Sequence, residues 1–274
     1  MKKSISQWAF DPNRPLVEVF ALAKRHGFDA VELAVDETGP VPLDLDQEGC
    51  QRIIDHAASA GVEIASLASG LGWRYPITSR TVATRRKGID AIAKSLAIAG
   101  WLGTNALLVV PGGVGAEFID GFDGTPYDEA FANAMDAVAE LIPIAKQYGV
   151  AIAVENVWNK FLLSPLEMRD FIDKADPAFT GCYFDVGNVI LTGYPEQWVA
   201  ILGQRIKRVH LKDFKRSVGT LDGFCGLLEG DVNYPAVIAA LRATGYDGPL
   251  TAEYFNCEHD LDKLSKAMDK ILGM

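Results

Sequence analysis

Two hydrophobic rhythms alternate along the chain. Short apolar and β-branched runs at Ser4–Trp8, Ala30–Val35, Glu63–Leu67, Ala106–Val110, Ala151–Glu155, Cys182–Asp185, Ile206–Leu211 and Leu250–Tyr254 read as strands. Most follow a tight glycine turn: His26-Gly27, Ala60-Gly61, Leu102-Gly103, Tyr148-Gly149 and Asp247-Gly248. The longer segments between them space their apolar residues as helices do. Val17, Phe20, Ala21 and Lys24 show one face turning into another, and Ile53, Ile54, Ala57 and Ala58 form a stripe. Ala91-Ile92, Ser95-Leu96 and Ala99 do the same in what reads as the longest helix. Strand alternating with helix means parallel strands joined by crossover helices. Eight such units in 274 residues predict an α/β chain folded as a single (β/α)8 TIM barrel domain over residues 1–274. An open doubly wound sheet would carry a glycine-rich nucleotide fingerprint after its first strand. Trp8-Ala9-Phe10-Asp11-Pro12 stands there instead.

Composition narrows the partners. Hydrophobic residues make up 49% of the chain and charged residues 23%, as in ordinary globular proteins. The net charge of −10 argues against binding nucleic acid or an anionic membrane surface. No run of about 18 apolar residues predicts a membrane span. The N-terminal lysines are followed by Asp11, Asn13 and Arg14 rather than a long apolar stretch, so no secretory signal is read. Cys50, Cys182, Cys225 and Cys257 form no C-x-x-C pair and suggest no disulfide framework. A reduced, cytoplasmic compartment is expected.

In such a barrel chemistry gathers where strands end and the following loops begin. The polar residues there are Gln7 and Trp8, then Glu32, then Ser69 with Trp73-Arg74 beyond it. Pro111-Gly112-Gly113, Glu155-Asn156, Asp185 to Asn188, His210 to Asp213, and Glu253 complete the circuit. Glu155, Asp185, His210 and Glu253 close runs five to eight. A carboxylate ending Ala151-Ile152-Ala153-Val154 is costly to desolvate unless compensated. Three such carboxylates converging with an imidazole would repel one another unless a cation sat among them. A divalent metal ion is therefore expected. The nitrogen and oxygen donors favour Mn2+, with Mg2+, Co2+ and Zn2+ as alternatives.

The segments VENVWN (Val154–Asn159), FDVGN (Phe184–Asn188), VHLKD (Val209–Asp213), LLEGDVNYPAV (Leu227–Val237) and LTAEYF (Leu250–Phe255) resemble the xylose isomerase-like barrels. That family includes ketose 3-epimerases, sugar-phosphate isomerases and type IV AP endonucleases. Trp73-Arg74-Tyr75-Pro76 is similar to a segment of the L-ribulose-5-phosphate 3-epimerase branch. The resemblance implies that Glu155, Asp185, His210 and Glu253 bind one divalent metal. It also implies that Glu155 and Glu253 serve as catalytic acid and base. Asn188 departs from the histidine that endonucleases and several free-ketose epimerases carry in FDVGN. The arginine that some of those epimerases place after strand seven is not evident; Lys212 and Lys215 are nearby.

The expected chemistry is metal-assisted removal of a proton next to a carbonyl, giving a cis-enediolate that is reprotonated. That reaction is ketose 3-epimerisation or aldose–ketose isomerisation of a sugar or sugar phosphate. Lys212, two residues after His210 and on the same side of the strand, is a candidate substrate contact, with a solvated loop lysine as the alternative. Arg74 between Trp73 and Tyr75 is the better anion candidate, because a guanidinium binds carboxylate or phosphate as a fork, with a surface ion pair as the alternative. Trp8, Trp73, Trp158 and Phe255 are candidates for the walls of a sugar pocket, with Asn188 beside them. Trp101 and Trp198 are assigned to helix packing. Glu229-Gly230-Asp231 resembles a family loop, but Asp231 or Asn233 also suits an N-cap before Pro235. Pro111-Gly112-Gly113-Val114-Gly115 reads as a flexible loop rather than a phosphate cradle.

The endonuclease reading needs several histidines, yet His26 and His56 fall in helical stretches and His259 lies beyond the last strand. A metal-dependent dehydratase or lyase acting on an inosose or 3-keto-glycoside would use the same residues. A non-catalytic sugar-binding barrel has little reason to assemble four ligands. Barrels of this kind commonly pair through exposed helices and loops, so a homodimer or homotetramer is expected.

Overall fold

The computed structural model describes residues 1–122 and 124–274. Eight parallel strands close into a barrel: β1 (Lys2–Ser6), β2 (Ala30–Val35), β3 (Glu63–Ser69), β4 (Ala106–Val109), β5 (Ala151–Glu155), β6 (Thr180–Asp185), β7 (Ile206–Leu211) and β10 (Pro249–Ala252). A two-stranded antiparallel hairpin, β8 (Asp213–Phe214) and β9 (Phe224–Cys225), stands between β7 and β10 in the chain. Strands β2, β5 and β7 have the bounds their apolar runs indicate. The bounds of the others shift by one or two residues. The first strand ends at Ser6 instead of Trp8, because the Ser6 hydroxyl accepts from the Trp8 amide and caps a 3-10 turn at Gln7–Ala9. The last barrel strand stops at Ala252, so Glu253 and Tyr254 belong to the loop that follows.

The crossover helices are α1 (Leu16–Arg25), α2 (Gln47–Ala60), α3 (Val82–Trp101), α4 (Tyr127–Tyr148), α5 (Pro165–Ala175), α6 (Pro195–Leu202), α7 (Tyr234–Ala243) and α8 (Leu261–Leu272). Their ends carry local stop and start chemistry. Asp46 caps α2 through the Gly49 amide at 2.7 Å, and Gly61 ends it in the left-handed conformation that a β-carbon disfavours. Ser164 caps α5 ahead of Pro165, and Asn233 caps α7 through the Ala236 amide. Of the two expected caps of α7, Asn233 fills the role, while Asp231 accepts from the Arg216 amide. The longest helix is α4, with 22 residues against 20 in α3. Pro143 lies inside α4, where its missing N–H frees the Ala139 carbonyl. His56 lies in α2, whereas His26 follows α1 as its C-cap. Trp101 and Trp198 lie in helices as expected. Among the described residues no helix is long and apolar enough to cross a membrane.

The main core fills the layer between barrel and helices, with Phe20, Phe28, Leu96, Leu141, Phe171 and Ile238 among its buried members. A smaller cluster of Ala68, Leu108, Val110, Ala153 and Tyr183 plugs the barrel interior beneath the mouth. Trp8, Trp73 and Val157 pack on top of that plug. Close approach between neighbouring loops is set by glycine at Gly72, where a β-carbon would overlap the Val110 carbonyl oxygen. The variant Gly72→Ala is therefore expected to lose about 2 kcal/mol of stability in urea denaturation. At Gly70 nothing lies within 4 Å of the same methyl. Gly70→Ala should stay within about 0.5 kcal/mol of the parent, and equal losses at both positions would remove the overlap argument.

Candidate active site

Four adjacent strands of the barrel, in the order β5, β6, β7, β10, carry the four expected ligands at the same end. Glu155 and Asp185 are the last residues of β5 and β6, His210 is the penultimate residue of β7, and Glu253 comes one residue after β10. All four are buried, Asp185 and His210 completely. One donor atom from each lies within 4.8 Å of the other three. Glu155 Oε1, Asp185 Oδ2, His210 Nδ1 and Glu253 Oε2 make no well-directed hydrogen bond; their neighbours are one another and the Lys212 ammonium. Buried polar atoms are rarely left so, and four at one point match what a divalent ion would take. The oxygen and nitrogen donors suit a hard or borderline ion. The cluster can hold a metal.

His210 is aimed by residues outside this set. Its Nε2 lies 2.9 and 3.1 Å from the two carboxylate oxygens of Glu32, leaving Nδ1 turned toward Glu253 at 2.7 Å and Glu155 at 3.6 Å. The completely buried Glu32 also accepts from the Tyr183 hydroxyl and from Ser66 at 3.0 Å. Such a carboxylate behind a ligating histidine fixes the tautomer and the ring plane. The signal in the sequence was a glutamate in the middle of the apolar strand Ala30–Val35. It appeared there only as one strand-end polar residue among many.

Charge in the cluster is balanced from above by Lys212. Its Nζ lies 3.1 Å from Asp185 Oδ2 and 2.6 Å from Glu253 Oε2. Gly187 makes room for this side chain, since a β-carbon there would stand 2.6 Å from the Lys212 β-carbon. Burial and the Glu253 charge push Glu155 up to about 7. Burial works in the same direction on Glu253, but the Lys212 and His210 charges outweigh it and hold that carboxyl well below the usual range. Burial also raises Asp185, with Lys212 opposing. The His210 imidazole is raised despite its burial because Glu32 and Glu253 face it.

Around the floor, Asn156 bridges two strand ends by donating to the Asp185 carbonyl and accepting from the Asp185 amide, both at 2.8 Å. Asn188 donates from its backbone to Asp185 Oδ1 at 2.7 Å and from its side chain to the Asn156 carbonyl at 3.0 Å. Trp158 in turn donates to the Asn188 carbonyl at 3.0 Å. A cavity of about 310 Å3 opens above, lined by Glu155, Glu253, Lys212, Asn188, Trp73, Trp158 and Phe255 among others. Trp8 stacks on Phe255 at 5.7 Å between ring centroids and does not itself line the cavity. Arg74 stands apart from the lining, its guanidinium paired with Asp36 and, at 3.1 Å, with Glu37. Phe118, Asp213, Leu221 and Phe224 line the cavity without having been singled out for it in the sequence. The Pro111–Gly115 stretch is packed rather than loose, since a β-carbon at Gly113 would stand 2.6 Å from that of Asn159 and the Gly112 carbonyl accepts from Asn159 at 2.6 Å.

A larger hollow of about 490 Å3 lies at the opposite end of the barrel. Arg208 there is spent on the scaffold, donating to the carbonyls of Ala65 and Lys207 and to Asn105 at 2.6–3.0 Å.

A family model described as xylose isomerase-like TIM barrel matches residues 20–272. L-ribulose-5-phosphate 3-epimerase UlaE of Salmonella paratyphi C is 26% identical over 258 residues, spanning 92% of this chain and 87% of that protein. Among solved structures, D-psicose 3-epimerase from Clostridium cellulolyticum H10 superposes with a TM-score of 0.81 at 15% identity, covering 99% of each chain. The 3-keto-D-glucoside 4-epimerase YcjR from E. coli gives 0.79 at 17% identity, with both chains fully covered. These likenesses extend over the whole barrel.

The role of Glu32 is open to direct measurement. Glu32→Gln should weaken Mn2+ binding by about 10–100-fold in isothermal calorimetry, with the barrel still folded by circular dichroism. Unchanged affinity would show that His210 keeps its aim without that carboxylate.

Proposed function

The chain belongs to the xylose isomerase-like TIM barrel family, and on that premise we propose that it is a divalent-metal-dependent sugar epimerase, inverting C3 of a ketose through a cis-enediolate. The observation that carries this reading is the placement of two buried glutamates. Glu155 ends, and Glu253 directly follows, the outer two of four adjacent strands, with Asp185 and His210 between them, and both face the same cavity. A sugar lying over the floor meets one carboxylate on each flank. One removes the C3 proton and the other returns a proton to the opposite face, which inverts that carbon. The relatives named as 3-epimerases, UlaE by sequence and D-psicose 3-epimerase by fold, support the same reaction class.

A divalent ion held by Glu155, Asp185, His210 and Glu253, Mn2+ in this reading, supplies Lewis-acid polarisation of the carbonyl and its neighbouring hydroxyl. The remaining work falls to the chain. Lys212 holds Asp185 and Glu253 in place and directs its remaining donor capacity toward the cavity. Asn156 and Asn188 fix the ends of β5 and β6, so that Glu155 and Asp185 keep their spacing.

Glu253→Gln is expected to lower turnover by about 10²–10⁴-fold while leaving the barrel folded. Retained activity would remove Glu253 from the proton transfer. The reaction itself is read by proton NMR in D2O, using Mn2+-loaded protein with a panel of ketoses and stripping the metal before acquisition. Deuterium at C3 that depends on the metal is the expected result. Loss of a β-substituent without exchange would instead assign the site to elimination.

A further inference from the structure

The walls of the cavity say which kind of sugar the site takes. Most of its side chains are apolar or aromatic, Trp73, Phe118, Trp158, Leu221, Phe224 and Phe255 among them. They are braced against one another and their neighbours before any ligand arrives. Trp158 meets Phe214 and Phe224 at 5.3 and 5.4 Å between ring centroids, and Trp73 meets Phe118 at 5.4 Å. Among the described residues lining the cavity, Lys212 is the only cation, and it is bracketed by Asp185 and Glu253. The carboxyl groups in the lining are those of Glu155, Glu253 and Asp213.

Among the described residues, three cations outside the lining are paired with acids, whereas Lys215 and Arg216 are not. Arg74 pairs with Asp36 and Glu37, Lys160 with Glu117, and Lys263 with Glu229 at 2.6 Å. Arg216 donates to the Ile190 carbonyl and lies over the Tyr194 ring. The backbone does offer one anion-binding nest at the mouth, in the loop after the hairpin. Leu228 adopts a left-handed φ of 69°, and the amides of Leu228, Gly230 and Val232 turn inward together with that of Phe214. The anion in that nest belongs to the chain. Asp213 Oδ1 accepts from Phe214 at 2.9 Å and from Val232 at 3.2 Å, and a β-carbon at Gly230 would collide with it. The amides that could have cradled a phosphate are thereby taken.

We propose that the substrate is an uncharged sugar, held by its C–H faces against the aromatic collar, and that sugar phosphates are excluded. A phosphate ester bound over this floor would carry its charge against an apolar wall and beside carboxylates, and among the described residues lining the cavity the one cation to receive it is Lys212, already shared between Asp185 and Glu253. The proposal rests on the epimerase reading for the orientation of the sugar, but its own subject is charge. It sets this chain apart from relatives named for a phosphorylated ketose.

The test compares matched ligands on the Mn2+-loaded protein. Quenching of tryptophan fluorescence is titrated with L-ribulose, D-psicose and D-tagatose, and with L-ribulose 5-phosphate. C3 deuterium exchange is followed in the same samples. The expected result is a preference of at least about 30-fold for free sugar over the ester in binding, and in exchange where it occurs. Equal or tighter binding of the ester overturns the proposal, and exchange of the ester at C3 would then leave the epimerase reading standing. Tight binding of free sugar alone with no exchange anywhere supports the charge assignment and removes the reaction. Binding of none of them overturns the proposal. A second arm uses Leu221→Arg, which places a cation on an exposed part of the wall without touching the floor. It should bring the ester about tenfold closer to the free sugar; an unchanged ratio would overturn the charge argument.

Discussion

Three carboxylates and an imidazole share a space in which their donor atoms lie within 4.8 Å of one another, and the mouth of the barrel is organised around that concentration of charge. Burial at this density is unfavourable for each carboxylate alone and more so for the set. The fold answers from two sides. Below, Glu32 takes the outer nitrogen of His210, and Tyr183 and Ser66 hold Glu32 in turn. Above, Lys212 spans Asp185 and Glu253. One donor atom from each of the four residues faces the other three, so the cluster presents a ready set of donors to a cation. A closed barrel suits such an arrangement because four adjacent strands fix four side chains at one height with no freedom to spread apart.

Much of this was legible in the chain. Strands β2, β5 and β7 lie where their apolar runs place them, because a glycine turn and a polar exit bound each run. All four cluster residues follow from one rule, polar groups at the ends of apolar strands. Where the pattern slipped, local hydrogen bonding decided. Ser6 caps a 3-10 turn and removes Trp8 from the first strand, and the final barrel strand ends before Glu253. Glu32 escaped because its role depends on Tyr183 and His210, which are 151 and 178 residues away and meet it only across the barrel interior. Arg74 left two readings open in the sequence, an anion contact and a surface ion pair, and it is the loop after β2 that supplies Asp36 and Glu37 as partners for the second.

Floor and wall therefore obey different rules. The floor comes from strand ends, whose positions the sequence period determines, and it carries the cluster to which we assign proton transfer and cation binding. The collar comes from loops that are distant in sequence, after β3, β4, β5, β7 and β10, and its aromatic rings meet only in the folded chain. Chemistry placed on strands is held rigidly, while loops alter what is admitted. The same floor can then serve sugars of different charge, and the residues that choose among them are those with no strand-end signature.

The segment Val209–Asp213 is where the two meet. Strand alternation sends His210 and Lys212 to the same side, one into the cluster and the other over it. One residue later the chain leaves the barrel for the β8–β9 hairpin, and Asp213 turns away from the floor to fill the amide nest of the following loop. Five consecutive positions thus set a ligand, its counter-charge and the anchor of the wall. A register slip of one residue in β7 would exchange His210 for Val209 or Leu211 and carry Lys212 out of reach of Asp185. The precision of the site is for that reason a property of the β6–β7–β10 pairing, in which Asp185 stands opposite His210 and His210 opposite Thr251.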